Sequence, residues 1–186
     1  MSLSDIYKSY EEEAKFWLDE LGKYNEVPFN NQSPDDKWTM SKLYSYMSLC
    51  TDFYCRNISD AISDHAKTSK KGGKTVLGTL VFLQKKLTQQ SLKKFHETYS
   101  EYTPLKDVAD ARGKVILSMK VMLNISRKLQ GKEELRLKHE QFGWLKLKDW
   151  YKLPKWHLEY CENQKNKIDN YIISRKGIKS KSSLNS

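Results

Sequence analysis

Residues 147–174, LKDWYKLPKWHLEYCENQKNKIDNYIIS, carry the clearest helical pattern in the chain. Side chains separated by steps of four and three leave the same face of a helix, so they form a heptad-like seam that should face the interior. The seam consists of Trp150, Pro154, His157, Cys161, Gln164, Ile168 and Tyr171. Pro154 should kink this helix near its first turns, because proline removes a backbone hydrogen bond. The stretch predicts a long C-terminal helix with polar groups on its buried side.

Three more long helices are predicted upstream of this seam. Apolar residues recur at helical spacing over residues 4–24, 39–66 and 105–130. Residues 75–98 are also helical in pattern, and the sequence leaves open whether they form one helix or two helices broken near 88–91. The chain has only 8 glycines and 4 prolines, which favours long helices over many short strands.

Four amphipathic helices have four apolar stripes to bury, and a bundle is the simplest arrangement that buries them all. No run of alternating residues calls for a sheet. We therefore predict an all-α fold, a four-helix bundle with an extra short helical segment between helices two and three. Residues 1–174 should form this single domain. Residues 175–186 are basic and rich in Gly, Ser and Lys, and are predicted to be a disordered tail.

Composition narrows the classes of function. No run of about 18 apolar residues is present, so no membrane span is expected, and the first residues lack the basic and apolar parts of a signal peptide. The 3 cysteines contain no CxxC pair and indicate reduced thiols in a cytoplasmic protein. The net charge of +10 includes the lysine-rich loop 67–74 and the tail, and a solvated surface is its simplest interpretation.

Two side chains of the C-terminal seam could carry chemistry. His157 and Cys161 are one turn apart, and Gln164 lies about one turn further along the same face. An imidazole and a thiolate at this separation can bind a transition metal. The alternative is a buried histidine satisfied by hydrogen bonds, beside a cysteine that packs as a small apolar side chain. The residue types alone favour this alternative.

Three segments of the chain resemble the DinB/YfiT-like family. They are WTMSKLYSYM at residues 38–47, HEQFGWL at residues 139–145 and HLEYCENQ at residues 157–164, and they occur in the order that the family has. The resemblance extends over about residues 5–172. It implies a four-helix bundle in which one histidine of helix two and two histidines of the last helix hold zinc or nickel.

The metal positions of that family are only partly kept. They correspond to Tyr46, His157 and Cys161, so one of the three retains its histidine. A tyrosine is a poor ligand unless it is ionised, and its ordinary pKa of about 10 opposes ionisation at neutral pH. We therefore expect a metal-free pocket in which Tyr46, His157, Cys161 and Gln164 form a polar cluster. The alternative is a divalent metal, Zn or Ni, held by His157 and Cys161.

Three functions remain open at this point. The favoured one is a ligand-binding module, a small-molecule pocket in a bundle that pairs as a homodimer through its apolar helix faces. The second, implied by the resemblance, is a metal-dependent thiol transferase or hydrolase. Nucleic-acid binding through the loop 67–74 and the basic tail is the least favoured, and no membrane partner is expected. The sequence does not decide whether the chain is an enzyme.

Two other features are assigned no chemistry. The tripeptide GKT at residues 73–75 echoes the end of a phosphate-binding loop, but the position that should hold that motif's first glycine is Thr68. His65 and His96 lie near polar helix ends and are expected to be exposed.

Overall fold

The structure is a computed structural model that describes residues 1–24, 29–30, 38–98 and 103–182, with side chains as far as residue 173. It is mostly helical, which confirms the helical class predicted from the sequence. The helices are α1 (Leu3–Leu21), α2 (Met40–Ile62), α3 (Val76–Gln84), α4 (Gln89–Thr98), α5 (Val108–Lys128), α6 (Leu147–Trp150) and α7 (Leu153–Ser182). The strands are β1 (Thr68–Ser69), β2 (Arg136–His139) and β3 (Gly143–Lys146).

The four long helices pack around one apolar core. Helix α5 lies against α1 and α2, and α7 also lies against α1 and α2, so each long helix contacts two of the others. Their N-termini are capped by short polar side chains: Ser2 and Asp5 form a capping box on α1, and Thr39 accepts a hydrogen bond from the Lys42 amide on α2. Asp107 caps α5 in the same way. The caps satisfy backbone N–H groups that a helix start leaves unpaired.

Residues 75–98 form two helices, α3 and α4. Helix α3 ends at Gln84, because the next residue, Lys85, has a left-handed φ of 52°. Thr88 and Ser91 then cap the start of α4 reciprocally, since each backbone N–H donates to the hydroxyl of the other residue. The break therefore lies at 85–88, on the N-terminal side of the region where the sequence allowed one.

The expectation that the chain needs no sheet is wrong. The strands form one small antiparallel sheet of order β1-β2-β3, in which Thr68 faces Leu137 and Leu137 faces Leu145. The strands span two to four residues, which is too short for an alternating pattern to be recognised. Gly143 has a φ of +80°, and a Cβ there would lie 2.7 Å from the Gly73 carbonyl oxygen, so the β2–β3 turn needs this glycine.

The lysine-rich loop at 67–74 contributes to this sheet. Its residues 68–69 form β1, and Lys74 bridges to Gly143. The Trp144 amide donates to the Gly73 carbonyl at 2.9 Å. Thr75 then caps α3, and the Lys74 ammonium pairs with the Asp149 carboxylate at 2.8 Å. The GKT tripeptide therefore joins the sheet to a helix.

The predicted C-terminal helix is interrupted. Helix α6 ends at Trp150, and α7 starts anew at Leu153. Pro154 is the second residue of α7, where a missing N–H costs nothing because the first turn has no acceptor for it. The predicted kink at Pro154 is thus a helix start. Helix α7 continues to Ser182, beyond residue 174, and residues 183–186 of the predicted tail lie outside the described residues.

Across residues 1–24, 29–30, 38–98 and 103–182, no helix combines the length and the apolar character that a bilayer span requires. Cys50, Cys55 and Cys161 are free thiols, and all three are buried.

Candidate functional site

Three buried aromatic side chains of the core direct their polar atoms to the backbone. The Tyr44 hydroxyl donates to the Trp17 carbonyl at 2.6 Å, the Tyr151 hydroxyl donates to the Met122 carbonyl at 2.8 Å, and the Trp150 indole donates to the Leu137 carbonyl at 3.1 Å. Each of these groups is satisfied by a carbonyl oxygen, as expected for the inside of a helical core.

One part of the core is different, because its polar atoms bond to each other. We call it the histidine cluster, and it consists of Tyr46, Cys50, Tyr54, His96 and His157. Helix α2 supplies the two tyrosines and the cysteine at steps of four residues, so all three leave the same face. His157 comes from α7 and His96 from α4. Three helices therefore converge on this cluster.

His157 is at the centre of the cluster and is 1% exposed. Its Nε2 lies 2.7 Å from the Tyr46 hydroxyl and 3.3 Å from the Cys50 Sγ. Its Nδ1 lies 3.2 Å from the Tyr54 hydroxyl. The Tyr46 hydroxyl is also 3.1 Å from the Nε2 of His96. The contacts form a continuous chain, His96–Tyr46–His157–Tyr54.

Two proton arrangements satisfy this chain when both imidazoles are neutral. In one, the His96 Nε2–H donates to Tyr46, Tyr46 donates to His157 Nε2, and His157 Nδ1–H donates to Tyr54. In the other, every donor and acceptor is reversed. A neutral imidazole carries one ring proton, so the two histidines have opposite tautomers in both of these arrangements. The Tyr46 hydroxyl joins the two rings, which come from different helices.

Burial keeps the histidine cluster uncharged. Loss of solvation lowers the pKa of His157 to about 3, with a smaller lowering from His96. Burial also lowers the pKa of His96, and it raises the pKa of both tyrosines and of the Cys50 thiol. Neutral donors and acceptors in contact are stable in a low-dielectric core, whereas isolated charges are not.

A cleft of about 1350 Å³ lies beside the cluster. Its described walls come from α2, the α3–α4 connection, α4 and α7. Tyr46 and His96 both line it, so the hydrogen-bonded chain runs from the cleft to the buried His157. The other described lining residues are Trp38, Leu43, Lys86, Leu87, Thr88, Gln89, Gln90, Lys93, Tyr160, Cys161, Asn163, Gln164 and Lys167.

The four residues singled out from the sequence all lie at this place. Tyr46 and His157 are in direct contact, and Tyr46, Cys161 and Gln164 line the same cleft. Cys161 is 1% exposed, and burial, followed by Glu13 and Glu162, raises the pKa of its thiol. It faces the cleft as a neutral thiol beside the Gln164 amide.

Sequence reasoning missed three members of the histidine cluster. Cys50 and Tyr54 were not singled out, although their four-residue steps from Tyr46 place their polar atoms on the same face of α2. The expectation that His96 is exposed is wrong, because it is half-buried and contacts Tyr46. Its position depends on how α4 packs, which no local pattern reveals. His65 is exposed as expected.

Neutral side chains occupy the family's metal positions. They provide one imidazole with hydrogen bonds to both ring nitrogens, together with a phenol and a thiol whose pKa values are raised by burial. A ligand must be deprotonated or neutral with a free lone pair. Within the described ranges, no group of three or more His, Cys, Asp or Glu side chains is placed to hold a metal ion.

A second buried histidine, His139, belongs to the β2–β3 turn. Its Nδ1 accepts hydrogen bonds from the Gln141 and Phe142 amides at 3.2 and 3.3 Å. Its ring stacks on Phe142 with centroids 4.2 Å apart and also contacts Trp150. Burial lowers its pKa to about 4. The HEQFGWL segment therefore forms the β2–β3 turn, and none of its residues belongs to the histidine cluster.

Comparison with known proteins adds no identification. The chain matches no protein-family model, and no curated protein matches it either.

Proposed function

We propose that this chain is a four-helix bundle of the DinB/YfiT-like type that binds a small molecule in the cleft beside the histidine cluster, without a resident metal. The packing of α1, α2, α5 and α7, in which each helix contacts two others, supports the bundle type. The meeting of Tyr46 with His157 supports the resemblance, because the family brings these same two positions together.

The observation that carries the proposal is the side-chain network that reaches the cleft. The hydroxyl of Tyr46 connects half-buried His96 to fully buried His157. A buried side-chain network is stable only if every polar group has a hydrogen-bond partner. Apolar residues would fill the same space without this requirement. The described lining of the cleft combines polar side chains with aromatic ones, and polar groups that converge on a concavity are typical of ligand sites.

The proposal is tested by blocking the cleft without touching the core. Asn163 lines the cleft and is exposed on α7, whereas Asn166 is exposed on the same helix outside it. We expect fragments that raise the Tm of the wild type, by binding the native state, to lose this effect in Asn163→Trp and to retain it in Asn166→Trp. The measurement is a thermal-shift screen of a mixed fragment library on the three proteins.

Two results would contradict this function. A library without any stabilising fragment would remove small-molecule binding. Fragments that stabilise Asn163→Trp as well as the wild type would place binding elsewhere on the chain.

Catalysis with a metal is the second candidate, favoured by the Cys50 thiol that lies 3.3 Å from His157 Nε2. Cys50, Cys161 and His157 are nitrogen and sulfur groups of the kind that zinc prefers. Elemental analysis of protein purified without a nickel column decides between the two candidates. About one equivalent of zinc or nickel, lost in His157→Gln, would replace the metal-free proposal with a metal-dependent transferase or hydrolase.

Self-association through α3 is also part of the proposal. Val76, Leu80 and Leu83 lie at steps of four and three and are 81%, 47% and 77% exposed. An exposed apolar face of this kind suits a second copy of the chain. Light scattering should give a dimer for the wild type and a monomer for Leu83→Lys, and a wild-type monomer at high concentration would contradict pairing.

A further inference from the structure

The charge on the cleft walls is one-sided. Lys86 lies in the α3–α4 connection, Lys93 on α4 and Lys167 on α7, and all three line the cleft. Among the described residues that line it, none is an aspartate or glutamate, although the chain has 23 acidic residues in all. Three ammonium groups from three separate elements therefore surround one concavity, where their field adds up.

These lysines are not used to hold the fold together. In the part of the chain that the structure describes, none of the three forms an ion pair. Their neighbours behave differently: Lys94 pairs with Glu140 at 3.0 Å, and Lys165 pairs with Asp169 at 2.7 Å. Lys94 and Lys165 are therefore paired with acidic side chains, whereas no described acidic side chain pairs with the three cleft lysines.

The inner wall of the cleft supplies neutral and directional groups. His96 and Gln164 offer a ring N–H or nitrogen and an amide, and burial lowers the pKa of His96 so that it is neutral there. Trp38 and Tyr160 present aromatic surface. Ammonium groups bind anionic oxygens as point charges, amides orient them, and aromatic rings hold a planar apolar group.

We infer that the cleft takes an anionic small molecule, one that carries a carboxylate or phosphate group on a planar apolar body. The anion lies between Lys86, Lys93 and Lys167, and the planar part lies against the aromatic wall. This inference rests on the proposed function, since it names the class of ligand for the same cleft.

The test compares probes of matched shape and different charge. The Tm of the full chain is measured with phenyl phosphate, with benzoate and with benzamide, the uncharged analogue of benzoate, at one ionic strength. We expect both anions to raise the Tm and benzamide to have no comparable effect. Added salt should weaken the two anions only, because screening acts on the charged pair. A shift with benzamide that equals the shift with benzoate overturns the inference.

Charge-matched variants locate the anion. Lys86→Gln/Lys93→Gln/Lys167→Gln removes the cleft charges, and Lys67→Gln/Lys70→Gln/Lys71→Gln removes the same charge from exposed positions outside it. The first variant should bind phenyl phosphate about tenfold more weakly, as three partly exposed ion pairs would give, and the second should bind as the wild type does. Equal losses in both variants overturn the inference, because they indicate a general effect of net charge.

Failure of this inference is distinguishable from failure of the proposed function. Uncharged fragments that bind the cleft, blocked by Asn163→Trp, while both anions fail, overturn the anionic ligand and leave the pocket intact. Failure of every probe and every fragment overturns both.

Discussion

The two buried histidines of this protein have similar burial and opposite roles. His139 and His157 are 8% and 1% exposed, and burial lowers the pKa of each. His139 bonds to backbone amides within three residues of itself. His157 bonds to side chains that are more than a hundred residues away, on another helix. One ring shapes a local turn, and the other joins two helices.

The difference shows what a buried imidazole can be used for. Every turn has backbone amides that need an acceptor, and the His139 ring supplies one for two amides of the β2–β3 turn. The partners of His157 are hydroxyl and thiol groups, which phenylalanine and valine could replace without loss of packing. A polar network that the fold does not require supports the proposed ligand site, and Tyr46 joins this network to the cleft.

The largest expected effect is that of breaking the histidine cluster. His157→Leu should lower the free energy of unfolding by about 2–4 kcal/mol, because it leaves the Tyr54 hydroxyl buried without its partner and weakens Tyr46. Adding Tyr54→Phe should recover about 1 kcal/mol of this loss, since the unpaired hydroxyl is then gone. Urea unfolding of the two single variants and the double variant measures the coupling, and purely additive losses would contradict it.

Replacing His139 should lower the free energy of unfolding, and no second substitution at a partner should restore it. His139→Leu should cost about 2–3 kcal/mol, because the Gln141 and Phe142 amides lose their acceptor. Backbone amides cannot be removed by a second substitution at a partner. His139→Asn restores an acceptor and should regain part of the loss, whereas exposed His65→Leu should be neutral in the same urea experiment.

The free energy of unfolding should fall at acidic pH because both buried histidines are neutral in the folded protein. Both folded pKa values, about 4 for His139 and about 3 for His157, lie below the ordinary histidine pKa of 6.5. The unfolded chain therefore binds protons that the native state does not, and stability falls as the pH drops below about 6.5 toward the folded pKa values.

The size of this slope provides the test. Each histidine contributes about 1.4 kcal/mol per pH unit between about pH 6 and pH 4.5. His139→Leu and His157→Leu should each reduce the slope by that amount. A slope that does not change in His157→Leu would mean that this ring is not buried as a neutral group.

The smallest effect on stability is expected from removing one oxygen atom. Tyr46→Phe should cost about 1 kcal/mol, because Cys50 still contacts the Nε2 of His157. Nitrogen NMR of the wild type should show His96 and His157 as opposite tautomers, since the Tyr46 hydroxyl joins them. The variant should lose this relation. Equal tautomers in the wild type would contradict a chain of hydrogen bonds that runs in one direction from His96 to Tyr54.

Much of the helical architecture was accessible from the sequence. The spacing of apolar residues predicted the long helices, with ends that differ from α1, α2 and α5 by a few residues, because helix ends depend on single capping groups. The sheet was not predicted, since β1 and β2 are short and are separated in sequence by all of α3, α4 and α5. Pairing of that kind leaves no local signal.

The candidate site was likewise predicted where the signal was local and missed where it depended on tertiary packing. The seam of α7 identified His157, Cys161 and Gln164, and the family resemblance added Tyr46. The steps of α2 contained Cys50 and Tyr54 as well, but periodicity reports which face is buried and does not distinguish a core residue from a hydrogen-bond partner. His96 was out of reach, because its contact with Tyr46 depends on the turn at Lys85 that orients α4.

The sequence by itself determined which side chains face inward, since helical periodicity is a local property that each segment carries alone. Only the tertiary structure decided which of them meet: His96 with Tyr46, Tyr54 with His157, and three lysines around one cleft. Such meetings join residues from different helices, and their positions follow from how those helices pack and how their connections turn.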